Sequence, residues 1–130
     1  MGERSTYPDG EPCWADVVTP DLDAGKRFYT AMFGWEYQDS GPEFGNYSMA
    51  LLNGKTVAGV TPPPPGVEPG SMPPVWSVYL ASADADATAA KVDQAGGKVI
   101  MGPMDVPSGQ WIIQCQDPQG AHFALLAPTR

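Results

Sequence analysis

The 130-residue chain carries one pattern twice, and that duplication limits what it can fold into more than any other feature. Pro12-Cys13-Trp14 returns as Pro74-Val75-Trp76, and Gly34 returns as Gly96, both at the same offset. Later in the pattern Gly54 and Ala58 return as Gly120 and Ala124, at a shared and slightly larger offset. The drift between the two offsets falls in turns, where extra residues cost little free energy. Landmarks that keep their order and spacing this closely are the mark of a repeated supersecondary unit.

The unit can be spelled out. Residues Met1–Pro12 are polar with Gly and Pro and read as an extended arm, followed by the β-favouring run Cys13–Val18. Thr19-Pro20-Asp21 supplies capping chemistry for an amphipathic helix that carries Leu22, Lys26, Phe28, Tyr29, Met32 and Phe33 and stops at Gly34. Trp35–Gln38, Asn46–Leu52 and Thr56–Val60 read as strands, the last two joined through Asn53-Gly54, a tight-hairpin dipeptide. In the second copy Val75–Leu80 is a strand and Asp84–Ala95 a helix ending at Gly96-Gly97. Lys98–Met101, Trp111–Gln116 and His122–Leu126 follow as strands. The tetraproline Pro62–Pro65 cannot sit in a central strand, because proline donates no ladder hydrogen bond. The sequence therefore predicts one α+β domain of two βαβββ units, over residues 12–61 and 74–127, with a linker over 62–73.

Composition narrows the function classes. A net charge of −8, with no Lys/Arg cluster, repels phosphate backbones and argues against a nucleic-acid partner. The chain has no run of about 18 apolar residues and its first residues lack the layout of a secretory leader, so no membrane is expected and the cytoplasm is the expected compartment. Cys13 and Cys115, each within an apolar run, read as buried thiols rather than a disulfide framework. No nucleophile elbow, Cys–His pairing or phosphate-cradling glycine loop is present.

A strand before Asp21-Leu22-Asp23, then Lys26-Arg27-Phe28-Tyr29 and Met32-Phe33-Gly34-Trp35, and finally Asp117-Pro118-Gln119-Gly120 before an apolar strand, resemble the vicinal oxygen chelate superfamily. Its members include glyoxalase I, extradiol dioxygenases, and fosfomycin- and bleomycin-resistance proteins. The resemblance covers nearly the whole chain. It implies that the two units form a curved mixed sheet with helices on the convex side and a ligand in the concave cleft, often completed in a homodimer. Most enzymes of the family hold a divalent metal there through His, Gln or Glu. Carried onto this chain, those positions fall on Trp14, Ala58, Trp76 (or Ser77 if the register slips by one) and Ala124. With His122 as the one histidine, no metal site is expected.

Indoles at such positions favour planar ligands by stacking. Alternation along the first strand puts Asp16 on the same face as Trp14, as a polar anchor. Tyr47, Met49, Met101, Trp111 and His122 lie on the remaining strands or beside them and complete the expected lining with Trp76. By resemblance to the bleomycin-, mitomycin- and enediyne-binding proteins, the expected activity is sequestration of an aromatic antibiotic, with no catalytic residue and no cofactor. A planar cofactor such as a flavin would suit the same cleft. The alternative expectation is a cofactor-independent or metal-dependent enzyme of glyoxalase or dioxygenase type, with Asp16 or His122 as acid or base.

Overall fold

The computed structural model describes residues 7–63, 73–106 and 109–128. Most of the expected linker, residues 64–72, lies outside the described residues. The chain runs β1 (Pro12–Val18), α1 (Leu22–Phe33), β2 (Glu36–Asp39), β3 (Ser48–Leu52) and β4 (Lys55–Thr61). It continues with β5 (Val75–Ala81), α2 (Ala85–Gln94), β6 (Lys98–Asp105), β7 (Trp111–Gln116) and β8 (His122–Ala127). These are two successive βαβββ runs, the expected α+β class. A 3-10 turn at Pro42–Phe44, which the sequence reading did not include, fills part of the β2–β3 connection.

By contact, one compact unit gathers residues 15–63 and 73–76. The other gathers residues 7–14, 77–106 and 109–128. In the first, the strand order is β2-β3-β4-β1, with β1 parallel to β4 and the other neighbours antiparallel. The second repeats it as β6-β7-β8-β5, with β5 parallel to β8. The described residues of the expected N-terminal arm belong with the second unit: Gly10 N–H donates to the Ala81 carbonyl at 2.8 Å, and Ala81 N–H donates to the Glu11 carbonyl at 2.9 Å.

Both helices start the same way. The Asp21 carboxylate accepts the Ala24 N–H and the Asp84 carboxylate accepts the Ala87 N–H, each at 3.0 Å, satisfying donors that the first helical turn leaves without partners. Gly34 ends α1 in the left-handed region, where its N–H reaches the Thr30 carbonyl. Each helix covers one face of the strands in its own unit. Val17, Ala50, Ala58 and Val60 form the core under α1 with Leu22 and Tyr29. Ile113, Cys115, Leu125 and Ala127 form the core under α2 with Ala85, Ala89 and Val92. A third cluster, Cys13, Tyr79 and Ala124 with Trp14, Ile112 and Leu126 packed against it, belongs to the second unit, and within it Tyr79, Ala124, Ile112 and Leu126 face away from α2.

The register corrects the repeat. The two capping aspartates, Asp21 and Asp84, stand one position further apart than Trp14 and Trp76 do. The ladders agree: Asp16↔Gly59 in the first unit matches Tyr79↔Ala124 in the second, and Val17↔Val60 matches Leu80↔Leu125. Residues in a strand alternate faces, so a shift of one moves the equivalent of Trp14 from Trp76 to Ser77 and onto the other side of the strand. In β4 the pairing steps from Ala50↔Ala58 to Leu51↔Thr56, leaving Val57 as an extra, bulged residue. The hairpin turns at Gly54 and Gly120 therefore keep the larger offset, but beyond the bulge it shrinks by one, and the equivalent of Ala124 is Gly59. Ala58, assigned from the turn, faces the helix-side core instead.

Candidate functional site

On the first sheet the side away from α1 centres on Asp16. Its register partner is Gly59, which in turn pairs with Met49. Asp16 is 5 % exposed, and the Tyr47 phenol donates to its Oδ2 at 3.0 Å. Gly59 is what lets the phenol reach it, since a Cβ built there would collide with the Tyr47 ring, its OH foremost. Glycine inside a strand marks a close approach of this kind, a signal in the sequence that the motif reading did not use. Sequence reasoning named Asp16, Tyr47 and Met49 but missed Gly59, which brings the three together.

In the second unit the side away from α2 carries Tyr79, Ala124, Ile112 and Leu126, and half-buried Trp14 packs against the cluster formed by Cys13, Tyr79 and Ala124. Met101 pairs with Gln114 and Gln114 with Ala124, so Met101 belongs to the same face, 47 % exposed. His122 pairs with Gln116 at the exposed start of β8, two residues before Ala124. Cys13 donates its thiol to the Tyr79 carbonyl at 3.4 Å, and burial raises its pKa. Cys115 lies in the α2-side core, its pKa pushed up to about 11 by burial and secondarily by Asp93.

Two residues of the expected lining lie on the helix side of their units. Trp76 donates its indole N–H to the Tyr29 hydroxyl at 3.0 Å and meets Tyr29 and Trp35 edge-on, beside α1. The corrected register places it there. Trp111 packs against the α2-side core of the second unit.

The positions that the resemblance assigns to metal ligands fall, once the register is corrected, on Trp14, Gly59, Ser77 and Ala124. These offer one hydroxyl oxygen, from a residue that is itself buried, and no imidazole, carboxamide or carboxylate. That donor set does not fit a divalent cation. Among the described residues no three His, Cys, Asp or Glu side chains group closely enough to hold one. No described helix is long and apolar enough to cross a membrane.

Residues 13–125 match the Glyoxalase/Bleomycin resistance protein/Dioxygenase superfamily. Over its full length the chain is 43% identical to half of the Mycobacterium tuberculosis protein called "Putative glyoxylase CFP32". Over 92% of its length it is 40% identical to 47% of the "Anthracycline biosynthesis protein DnrV" of Streptomyces peucetius. The chain thus spans about half the length of the curated relatives it matches. Among solved structures it is similar to a Streptomyces coelicolor methylmalonyl-CoA epimerase, with a TM-score of 0.67 and 22% identity, covering 92% of this chain and 98% of that one. A superfamily member from Vibrio splendidus, at 14% identity and a TM-score of 0.59, covers 88% of this chain and 96% of that one. Duplicated unit, strand order and matched span together make this chain a member of the Glyoxalase/Bleomycin resistance protein/Dioxygenase superfamily.

Proposed function

We propose that this domain binds a planar, polycyclic aromatic small molecule without a metal ion, and holds it rather than transforming it. One observation carries the reading: the corrected register puts Trp14, Gly59, Ser77 and Ala124, an indole and small side chains, at the positions that the family resemblance implies for metal ligands. Trp14 offers stacking area, and Met101, in the same unit, offers an adaptable lining. The similarity to an anthracycline biosynthesis protein supports a polyketide-like aromatic as the ligand class. Sequestration of such an antibiotic in its producer is the biological role this reading implies.

A titration with 1,4-dihydroxyanthraquinone, followed by tryptophan fluorescence, tests it. Saturable quenching that survives a chelator is expected. Absence of binding, or binding abolished by the chelator, would overturn the reading. A second reading, an enzyme that moves a proton on its bound ligand, draws on the buried Asp16 carboxylate and its Tyr47 partner. Chromatography of the recovered probe separates the two, because a binder returns it unchanged.

The domain also works, in this reading, as a homodimer. Phe28, Met32 and Phe33 on α1 are 56 %, 53 % and 52 % exposed. Phe28 and Phe33 continue through ring contacts to Tyr29, Trp35 and Trp76, an apolar patch of the kind that marks association. A second copy would cover it.

A further inference from the structure

We infer that Gln114 on β7 is the polar contact of the aromatic site and selects ligands whose ring frame carries a carbonyl oxygen. This rests on the proposed aromatic-binding function and assigns its specificity, with residues of the second unit alone. On the side of that unit away from α2, alternate rungs of the β7–β8 ladder pass from apolar to polar: Ile112↔Leu126, then Gln114↔Ala124, then Gln116↔His122. Gln114 sits at the change. It stands between Met101 on β6 and Ala124 on β8, and Ala124 belongs to the cluster against which Trp14 packs. Ala124 contributes only a methyl group, so the Gln114 carboxamide is the polar group at this rung. Gln114 is half-buried, and among the described residues its carboxamide makes no hydrogen bond, whereas no fully buried side-chain nitrogen or oxygen lacks a partner. The unpaired amide therefore reaches the open surface of this face, beside the exposed Met101. A carboxamide brings two N–H donors to one acceptor oxygen, and on the next rung Gln116 adds two more donors and the His122 imidazole at least one. Donors outnumber acceptors along the strip, so its complement is an acceptor edge. A carbonyl on the ring accepts close to the ring plane, which leaves the ring faces for stacking.

A site that hydrogen-bonds a ligand's polar group discriminates against the analogue that lacks it, because the protein group is desolvated without gaining a partner. The test compares anthraquinone-2-sulfonate with anthracene-2-sulfonate, water-soluble probes that share a three-ring outline and a charge but differ in the carbonyls of the central ring. Isothermal titration gives both affinities on the full chain and on Gln114→Met and Gln114→Glu. The full chain should prefer the quinone by about tenfold or more, a difference of about 1.4 kcal/mol. Gln114→Met keeps the length of the side chain and removes the amide, so the preference should fall to near unity with affinity for the anthracene probe unchanged. Gln114→Glu keeps the shape but replaces the donors with acceptor oxygens, so the preference should vanish or reverse. A general loss of folding would move both probes together and leave the ratio intact, so the ratio isolates the specificity role. If the full chain binds both probes equally, or if either variant retains the preference, the inference is overturned while the aromatic-binding reading stands. If the full chain binds neither probe, that reading fails and the inference falls with it.

Discussion

Trp14 and Trp76 look interchangeable in the sequence, yet the structure gives them different surroundings. Trp14 packs against the cluster of Cys13, Tyr79 and Ala124 in the second unit, whereas Trp76 closes an aromatic group beside α1. Trp14→Ala should therefore weaken anthraquinone binding about tenfold, since truncating a stacking anchor commonly costs ~1.4–2 kcal/mol. Trp76→Ala should leave binding near the original value. Isothermal titration of both variants, with melting temperatures recorded alongside, checks the contrast. The thiols make a second residue-scale case. Burial raises both Cys13 and Cys115, so the neutral thiol is favoured in the folded chain. Their contribution to stability is complete below the unfolded thiol pKa of ~8.5 and is lost as pH rises through the raised folded values, about 11 for Cys115. Neither should react with a thiol reagent at pH 8 until the chain is unfolded by urea. A native-state signal would contradict this.

At the scale of elements, the paired aspartate caps make a symmetrical prediction. Asp21→Ala and Asp84→Ala should each cost ~0.5–2 kcal/mol in urea denaturation, with Asn at either position restoring most of the loss. The first unit is also tied by a polar link: Lys26 on α1 donates to Asp39 on β2 at 2.7 Å, and Ser48 on β3 donates to the same oxygen at 2.6 Å. Lys26 first, then Ser48, lowers the Asp39 pKa. A depressed carboxylate stabilises the fold above its unfolded pKa of ~3.9, and that contribution fades as pH falls through the folded value. Asp39 is largely exposed, so solvent screening keeps the pair to ~0.2–1 kcal/mol. Lys26→Met should lower stability by that amount at pH 7 and by nearly nothing at pH 2, as measured by urea midpoints. The elements themselves were largely legible, because Asp caps, Gly34, Asn53-Gly54 and the apolar alternation are local signals. The faces were less so. A residue's side of a sheet depends on ladder register, and the bulge at Val57 and the extra position between the two caps changed parity without altering any motif.

For the whole molecule, the duplication does not coincide with the way the chain packs. The segment over residues 7–14 belongs with the second unit, where Cys13 joins the cluster with Tyr79 and Ala124, while residues 73–76 belong with the first. Cutting between the repeats would strip the second half of its Cys13 contacts. Fragments 1–63 and 73–130 expressed apart should lack cooperative unfolding transitions in circular dichroism, and mixing them should restore one. The proposed dimer is tested at this scale too. Sedimentation at micromolar concentration should give twice the 13.8 kDa chain mass, and Phe28→Glu, which puts a charge into the exposed face of α1, should give the monomer.

The single extra residue in β4 reaches beyond this chain. Because it sits between the hairpin turn and Gly59, it acts as a phase shifter: upstream of it the two halves of the molecule keep step at one parity, and downstream at the other. A homologue without that residue can be superimposed letter by letter on the Asn53-Gly54 turn and still show the opposite side of its strand to the ligand. Transfer of a binding residue between members of the family is therefore safe only when counted from the ladder, and a template that counts from the turn will name Ala58 where the molecule presents Gly59.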